Sequence, residues 1–99
     1  MIIIRNVFRL KFGQTREALA IIKEGVAIQK RAGMDFSTRI LTDMTGPFYT
    51  VVLELTAPNL ATFEAGAPRF LGDKDWQANY QKLTPLVDSG YREVFTVIE

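Results

Sequence analysis

The stretch Ile2-Ile3-Ile4-Arg5-Asn6-Val7-Phe8-Arg9-Leu10-Lys11-Phe12-Gly13 decides how the rest of the chain is read. Its even positions are Ile2, Ile4, Asn6, Phe8, Leu10 and Phe12, and its odd positions are Ile3, Arg5, Val7, Arg9 and Lys11. A period of two sends successive side chains to opposite faces of a pleated strand, so residues 2–12 are predicted to form a strand with one apolar and one mixed, basic face. Asn6 is the only polar member of the apolar face. A buried amide needs hydrogen-bond partners, and the candidates are the backbone, a trapped water or a ligand oxygen.

Gly13 and Gln14 break the strand, and Thr15 is the expected cap of a following helix. From Arg16 the charges recur at heptad spacing, Arg16, Lys23 and Lys30 beside Glu17, Glu24 and Arg31, while Leu19, Ile22, Val26, Ala18, Ile21 and Ile28 fill the other side. That is an amphipathic helix closed at Gly33. Residues 34–44 alternate again, Thr45-Gly46-Pro47 turns the chain, and residues 48–55 are rich in β-branched and aromatic residues, which gives a hairpin. Asn59 is positioned to cap a second helix through Leu60, Phe63 and Glu64. Gly66 and Pro68 must interrupt it, and a second piece restarts near Asp73. Trp76, Tyr80, Leu83 and Val87 share one face of that piece. Pro85 loosens its end, Ser89-Gly90 stops it, and residues 91–99 make the last strand.

The order βαββαβ within 99 residues defines a single α+β domain spanning residues 1–99. Its usual solution is ferredoxin-like: a four-stranded antiparallel sheet with two helices on one face. With 47% hydrophobic and 23% charged residues and a net charge of +1, the chain has the apolar content to fold.

Two zeros narrow the chemistry, for the chain has no Cys and no His. Thiolate nucleophiles, disulfides, imidazole bases and the ordinary zinc and haem ligands are excluded. No two glycines are separated by one residue and no Gly-Lys-Ser/Thr loop occurs, so neither a dinucleotide nor a nucleoside triphosphate site is indicated. Asp73 and Asp75 read as capping charges at a helix start rather than metal ligands. No metal and no cofactor are expected. The longest uncharged run, Met44 to Leu53, is far shorter than the roughly 20 apolar residues of a bilayer crossing, so no membrane partner is expected either. The N-terminal Met-Ile-Ile-Ile-Arg lacks the layout of a secretory signal, and the expected compartment is the cytoplasm.

Helices cover the face carrying Ile2, Ile4, Phe8, Leu10 and Phe12. The other face keeps Ile3, Val7, Leu41 and a share of the Tyr49, Val51, Leu53 and Val97 pattern, more apolar area than a monomer exposes comfortably. A second copy is the expected cover, giving a homodimer through the sheet faces. Arg5, Arg9 and Lys11 on the odd face invite an RNA reading, and Ile2–Val7 resembles the first strand of an RNA-recognition motif. Ile3 stands where an aromatic should stack, and residues 46–51 lack the stacking pair of the third strand. With near-zero net charge, nucleic acid is not an expected partner. Pairing with Asp35, Asp43, Glu54 or Glu93 accounts for those cations.

The chain resembles the dimeric α/β-barrel superfamily, above all NIPSNAP-like and antibiotic-biosynthesis-monooxygenase-like proteins. The resemblance rests on Ile4-Arg5-Asn6-Val7-Phe8-Arg9-Leu10 leading into Gly13, the broken second helix with Trp76, and Leu83-Thr84-Pro85-Leu86-Val87-Asp88-Ser89-Gly90-Tyr91-Arg92-Glu93-Val94-Phe95. It implies homodimers whose sheets form a shared barrel, with a pocket in each protomer between sheet and helices. Some members are cofactor-independent monooxygenases and others degrade haem. In the haem-degrading branch Asn6 matches a strand-one Asn, but Tyr80 stands where the family places its haem-ligating His.

Two functional readings follow. In the first, a small organic molecule binds between the sheet and the second helix, with Asn6 as the catalytic group holding a substrate oxyanion and Phe8, Trp76 and Tyr80 binding and desolvating the substrate. If there is chemistry, it resembles cofactor-independent oxygenation, with Glu64 as a conceivable base. In the second, the chain is a non-enzymatic interaction or scaffolding module without a usable cavity.

Overall fold

The computed structural model describes residues 1–99. Strands β1 (Ile2–Leu10), β2 (Ser37–Thr42), β3 (Thr50–Ala57) and β4 (Val87–Thr96) form one sheet in the order β2-β3-β1-β4, with every pairing antiparallel. Helix α1 (Thr15–Arg31) follows β1, and the connection from β3 to β4 carries α2 (Leu60–Gly66), α3 (Pro68–Leu71) and α4 (Lys74–Leu83), ending in a 3-10 turn over Thr84–Leu86. This is the ferredoxin-like arrangement, with its second helix divided into three.

The core lies between one sheet face and the helices. Ile4, Leu55 and Ala57 pack with Phe63 and Phe70, while Leu10 and Val51 pack with Ala18, Ile22 and Leu83. Ile4 and Val51 are fully buried at the centre of this layer. Asn59 caps α2 by accepting a hydrogen bond from the Thr62 N–H at 2.8 Å. Asp73 caps α4 through the N–H groups of Asp75 and Trp76.

Several sequence-based boundaries are corrected. β1 ends at Leu10, because the Leu10 N–H donates to the carbonyl of Tyr49 and the Lys11 N–H to that of Leu86, beyond which the ladder has no partners. Thr15 is the first helical residue rather than a cap. Helix α1 starts one residue early, with the Gln14 carbonyl accepting from the Ala18 N–H and no side chain capping it. In the β2–β3 connection Tyr49 takes a positive φ of 60°, so Phe48 and Tyr49 belong to the turn and β3 begins at Thr50. This shifts the phase of the strand: Val51, Leu53 and Leu55 face the helices, and Val52, Glu54 and Thr56 lie on the open face.

The last strand starts at Val87, so Val87 is not helical and Ser89-Gly90 lies inside β4. Gly90 stands opposite Phe8 in the ladder. A Cβ there would come within 3.2 Å of the Val7 carbonyl oxygen and 3.3 Å of the Phe8 ring, so this glycine permits close approach of two strands instead of ending an element.

Candidate functional site

The register of β1 and β4 builds the site. Asn6 is the ladder partner of Arg92, and both project to the helix side of the sheet. The Arg92 Nε–H donates to Asn6 Oδ1 at 2.7 Å, and the guanidinium lies over the Phe63 ring at 5.4 Å from its centroid. The half-buried Asn6 thus has an arginine side chain as its partner. A cation over an aromatic face is attracted by the ring quadrupole, so Phe63 and Asn6 together fix the orientation of Arg92.

The broken second helix supplies the opposite wall, and its interruptions have a geometric use. Each piece aims an aromatic ring at the sheet: Phe63 from α2, Phe70 from α3, Trp76 and Tyr80 from α4. Trp76 and Tyr80, one turn apart, stack with centroids 5.0 Å apart and planes 14° from parallel. Phe70 meets Trp76 at 5.0 Å and 60°. Arg69 on α3 reaches back to the Gly33 carbonyl at 2.9 Å, and Asn79 on α4 donates to the Ile21 carbonyl at 2.8 Å. These two bonds tie the broken helix to α1 and its C-terminal turn.

Between these walls lies a cavity of about 760 Å³, and 15 of its 23 lining residues are hydrophobic. Asn6, Phe8, Trp76 and Tyr80, the four residues selected from the sequence, all line it. Glu64 also lines it, from an exposed position at the rim. Arg92 is the residue that sequence reasoning missed. The alternation of Gly90, Arg92, Val94 and Thr96 against Tyr91, Glu93 and Phe95 carried the signal, but it emerges only when β4 is started before Gly90.

On the other sheet face the three basic residues of the β1 pattern separate. Arg5 and Arg39 converge on Glu54, which is only 8% exposed: Arg5 Nε lies 3.6 Å from Oε2, and Arg39 hydrogen-bonds to Oε1. The Cα register extends this into a row across all four strands, Arg39, Glu54, Arg5 and Glu93. Of the expected partners, Glu54 is the one that pairs. No helix is long and apolar enough to cross a membrane.

No protein-family model matches the chain, and no curated protein does. Solved structures define its class of fold. It superimposes on an uncharacterised NIPSNAP domain protein from Burkholderia xenovorans with a TM-score of 0.86 and 20% identity, covering 98% of this chain and 94% of that one. A NIPSNAP family protein from Agrobacterium tumefaciens gives a TM-score of 0.84 at 22% identity, covering 96% and 90%. A cofactor-independent oxygenase from Streptomyces nogalater gives 0.73 at 14% identity, covering 99% and 93%. The chain has the ferredoxin-like α+β fold that NIPSNAP domain proteins and antibiotic-biosynthesis-monooxygenase-like proteins share.

Proposed function

We propose that this chain is a NIPSNAP-like cytoplasmic homodimer that binds a small organic molecule, without a cofactor, in the cavity between its sheet and α2–α4. The observation that carries this reading is the cavity itself. Its volume of about 760 Å³ falls within the roughly 300–1,000 Å³ of small-molecule sites, and its apolar wall holds a few convergent polar groups. An interaction module with no use for a cavity gives no reason for one of this size. Phe8, Trp76 and Tyr80 enclose the guest, and Asn6 with its partner Arg92 presents the polar end.

Ligand-observed NMR with a fragment library tests it. Hits that disappear in the cavity-filling variant Val26→Trp, whose fold is checked by circular dichroism, support the reading. An absence of hits, or hits that Val26→Trp leaves untouched, removes it.

The dimer is supported by the open sheet face, where Tyr91 is 59% and Phe95 46% exposed and Leu41 is half-buried, flanking the already buried Val7 and Val52. Two such faces stacked by a twofold axis bury one another. Sedimentation at micromolar concentration should give twice the chain mass. A monomer there, or a dimer unaffected by Leu41→Arg, counts against the interface.

An enzymatic reading is favoured by the fold shared with the Streptomyces nogalater oxygenase. In it the Asn6–Arg92 pair stabilises a substrate enolate, and an activated methylene reduces dioxygen. The methylene becomes a carbonyl, taking one oxygen atom, while the other leaves as water with the two hydrogens. Oxygen uptake with a 1,3-diketone, lost in Asn6→Leu, is its measurement.

A further inference from the structure

Among the cavity residues, Glu64 is the one acidic and Arg92 the one basic side chain, and no ion pair joins them. The ion pairs of the structure are Arg5–Glu54, Arg39–Glu54 and Glu24–Arg31. Arg92 therefore brings to the cavity a positive charge with no carboxylate against it. Glu64 and Arg92 both sit at the exposed rim, where water and salt weaken the field each exerts on the other.

Arg92 is also fixed in direction. Its backbone is paired opposite Asn6, its Nε–H is taken by Asn6 Oδ1, and its guanidinium carbon lies over the Phe63 ring. With Nε occupied, the two terminal NH2 groups remain as donors. They form the end of the guanidinium fork that matches the two oxygens of a carboxylate. The rest of the cavity, with Phe8 on the sheet wall and the Trp76–Tyr80 stack facing it, offers mainly ring faces and aliphatic surface, with the neutral Gln29, Asn79 and Ser89 and no second cation.

We infer that the ligand is an organic monocarboxylate with a ring-bearing apolar body, its carboxylate gripped end-on by Arg92. Asn6 is then a positioning residue, for its carbonyl oxygen aims the guanidinium. This rests on the small-molecule reading above and adds the charge and shape of the guest. A single cation selects one anionic group, and the aromatic strip selects a flat body over a polar, flexible one.

The test is calorimetric titration of the full chain with 2-naphthoate and with its neutral isostere 2-naphthamide. The wild type should bind the carboxylate about tenfold or more tighter than the amide. Arg92→Gln should weaken naphthoate by roughly 10- to 100-fold, the range of a hydrogen-bonded charge contact, and leave naphthamide within about twofold. Asn6→Asp should act in the same direction without changing the cavity's volume, because the new carboxylate occupies the guanidinium. That response to charge at constant shape is one that a purely structural Asn6 would not give. Arg92→Lys keeps the charge and loses the fork, so an intermediate loss is expected. It also keeps the test intact should Arg92→Gln fail to fold. Equal affinity of the wild type for both probes, or naphthoate binding indifferent to Arg92→Lys and Asn6→Asp, overturns the carboxylate assignment and leaves the cavity reading standing. Binding of neither probe at millimolar concentration overturns both.

Discussion

The two faces of the sheet are built from the same four strands and solve different problems. On the helix side the ladder rows carry no charge except where Asn6 meets Arg92, their other polar members being Thr38, Thr42 and Thr96, and helices cover them. On the open side a row of alternating charge, Arg39, Glu54, Arg5 and Glu93, lies beside the apolar row Leu41, Val52, Val7 and Tyr91. Val7 and Val52 are nevertheless only 5% and 8% exposed, although no element of this chain lies over them. Long neighbouring side chains shield such positions along a sheet, since arginine stems lie along apolar surface while their heads stay wet. Low exposure of a residue therefore does not identify the covered face. What distinguishes the faces is the kind of polar group each contains: one oriented cation bordering the cavity on the helix side, one carboxylate shared by two arginines on the other.

This contrast is broken most strongly at Ile4, which is fully buried under the helices. Ile4→Ala should lower unfolding free energy by about 2–5 kcal/mol in a urea titration, the usual cost of a large-to-small change in a packed core. The half-buried Ile3 on the open face should lose clearly less at concentrations where the chain is monomeric; an equal loss would erase the distinction. Next comes Glu54, the shared partner of two arginines. Glu54→Gln should cost about 1–3 kcal/mol, since it leaves Arg5 and Arg39 facing each other without their anion. Adding salt should narrow the gap to wild type, because screening weakens the repulsion. A smaller effect tests the roof of the cavity: Asp73→Ala removes the cap of α4 and should cost about 1 kcal/mol, read from the same titration. Smallest is Glu24→Gln, which breaks the exposed Glu24–Arg31 pair, 3.9 Å apart, and should change stability by less than about 1 kcal/mol. A ranking in any other order means that burial and pairing have been wrongly apportioned between the faces.

How far the sequence disclosed this follows from the same residues. The strict alternation of Ile2–Leu10 made β1 and its two faces legible, and the heptad spacing of α1 did the same for the helix. β3 was harder, because residues 48–55 carry apolar side chains at successive positions and no period marks the phase. The turn decides it through the left-handed Tyr49, a backbone state that no side-chain pattern announces. β4 was obscured because Ser-Gly ends many elements, whereas here Gly90 answers to a neighbouring strand far away in sequence. Asn6, Phe8, Trp76 and Tyr80 stood out as an odd amide and helix-spaced aromatics, and they do line one cavity. Arg92 did not, since its meaning depends on a cross-strand register that local periodicity does not encode.

Gly90 carries one more consequence. The hydrogen that stands in for a side chain at this position sets how closely β4 presses on β1, and hence where the Phe8 ring rests against the chamber. Any larger residue would push on a peptide oxygen and on that ring together, so the width of the cavity and the seam between the two strands are adjusted by one and the same atom. A lineage that needed a narrower chamber could not obtain it here without prying the strands apart, and would have to change the ceiling instead.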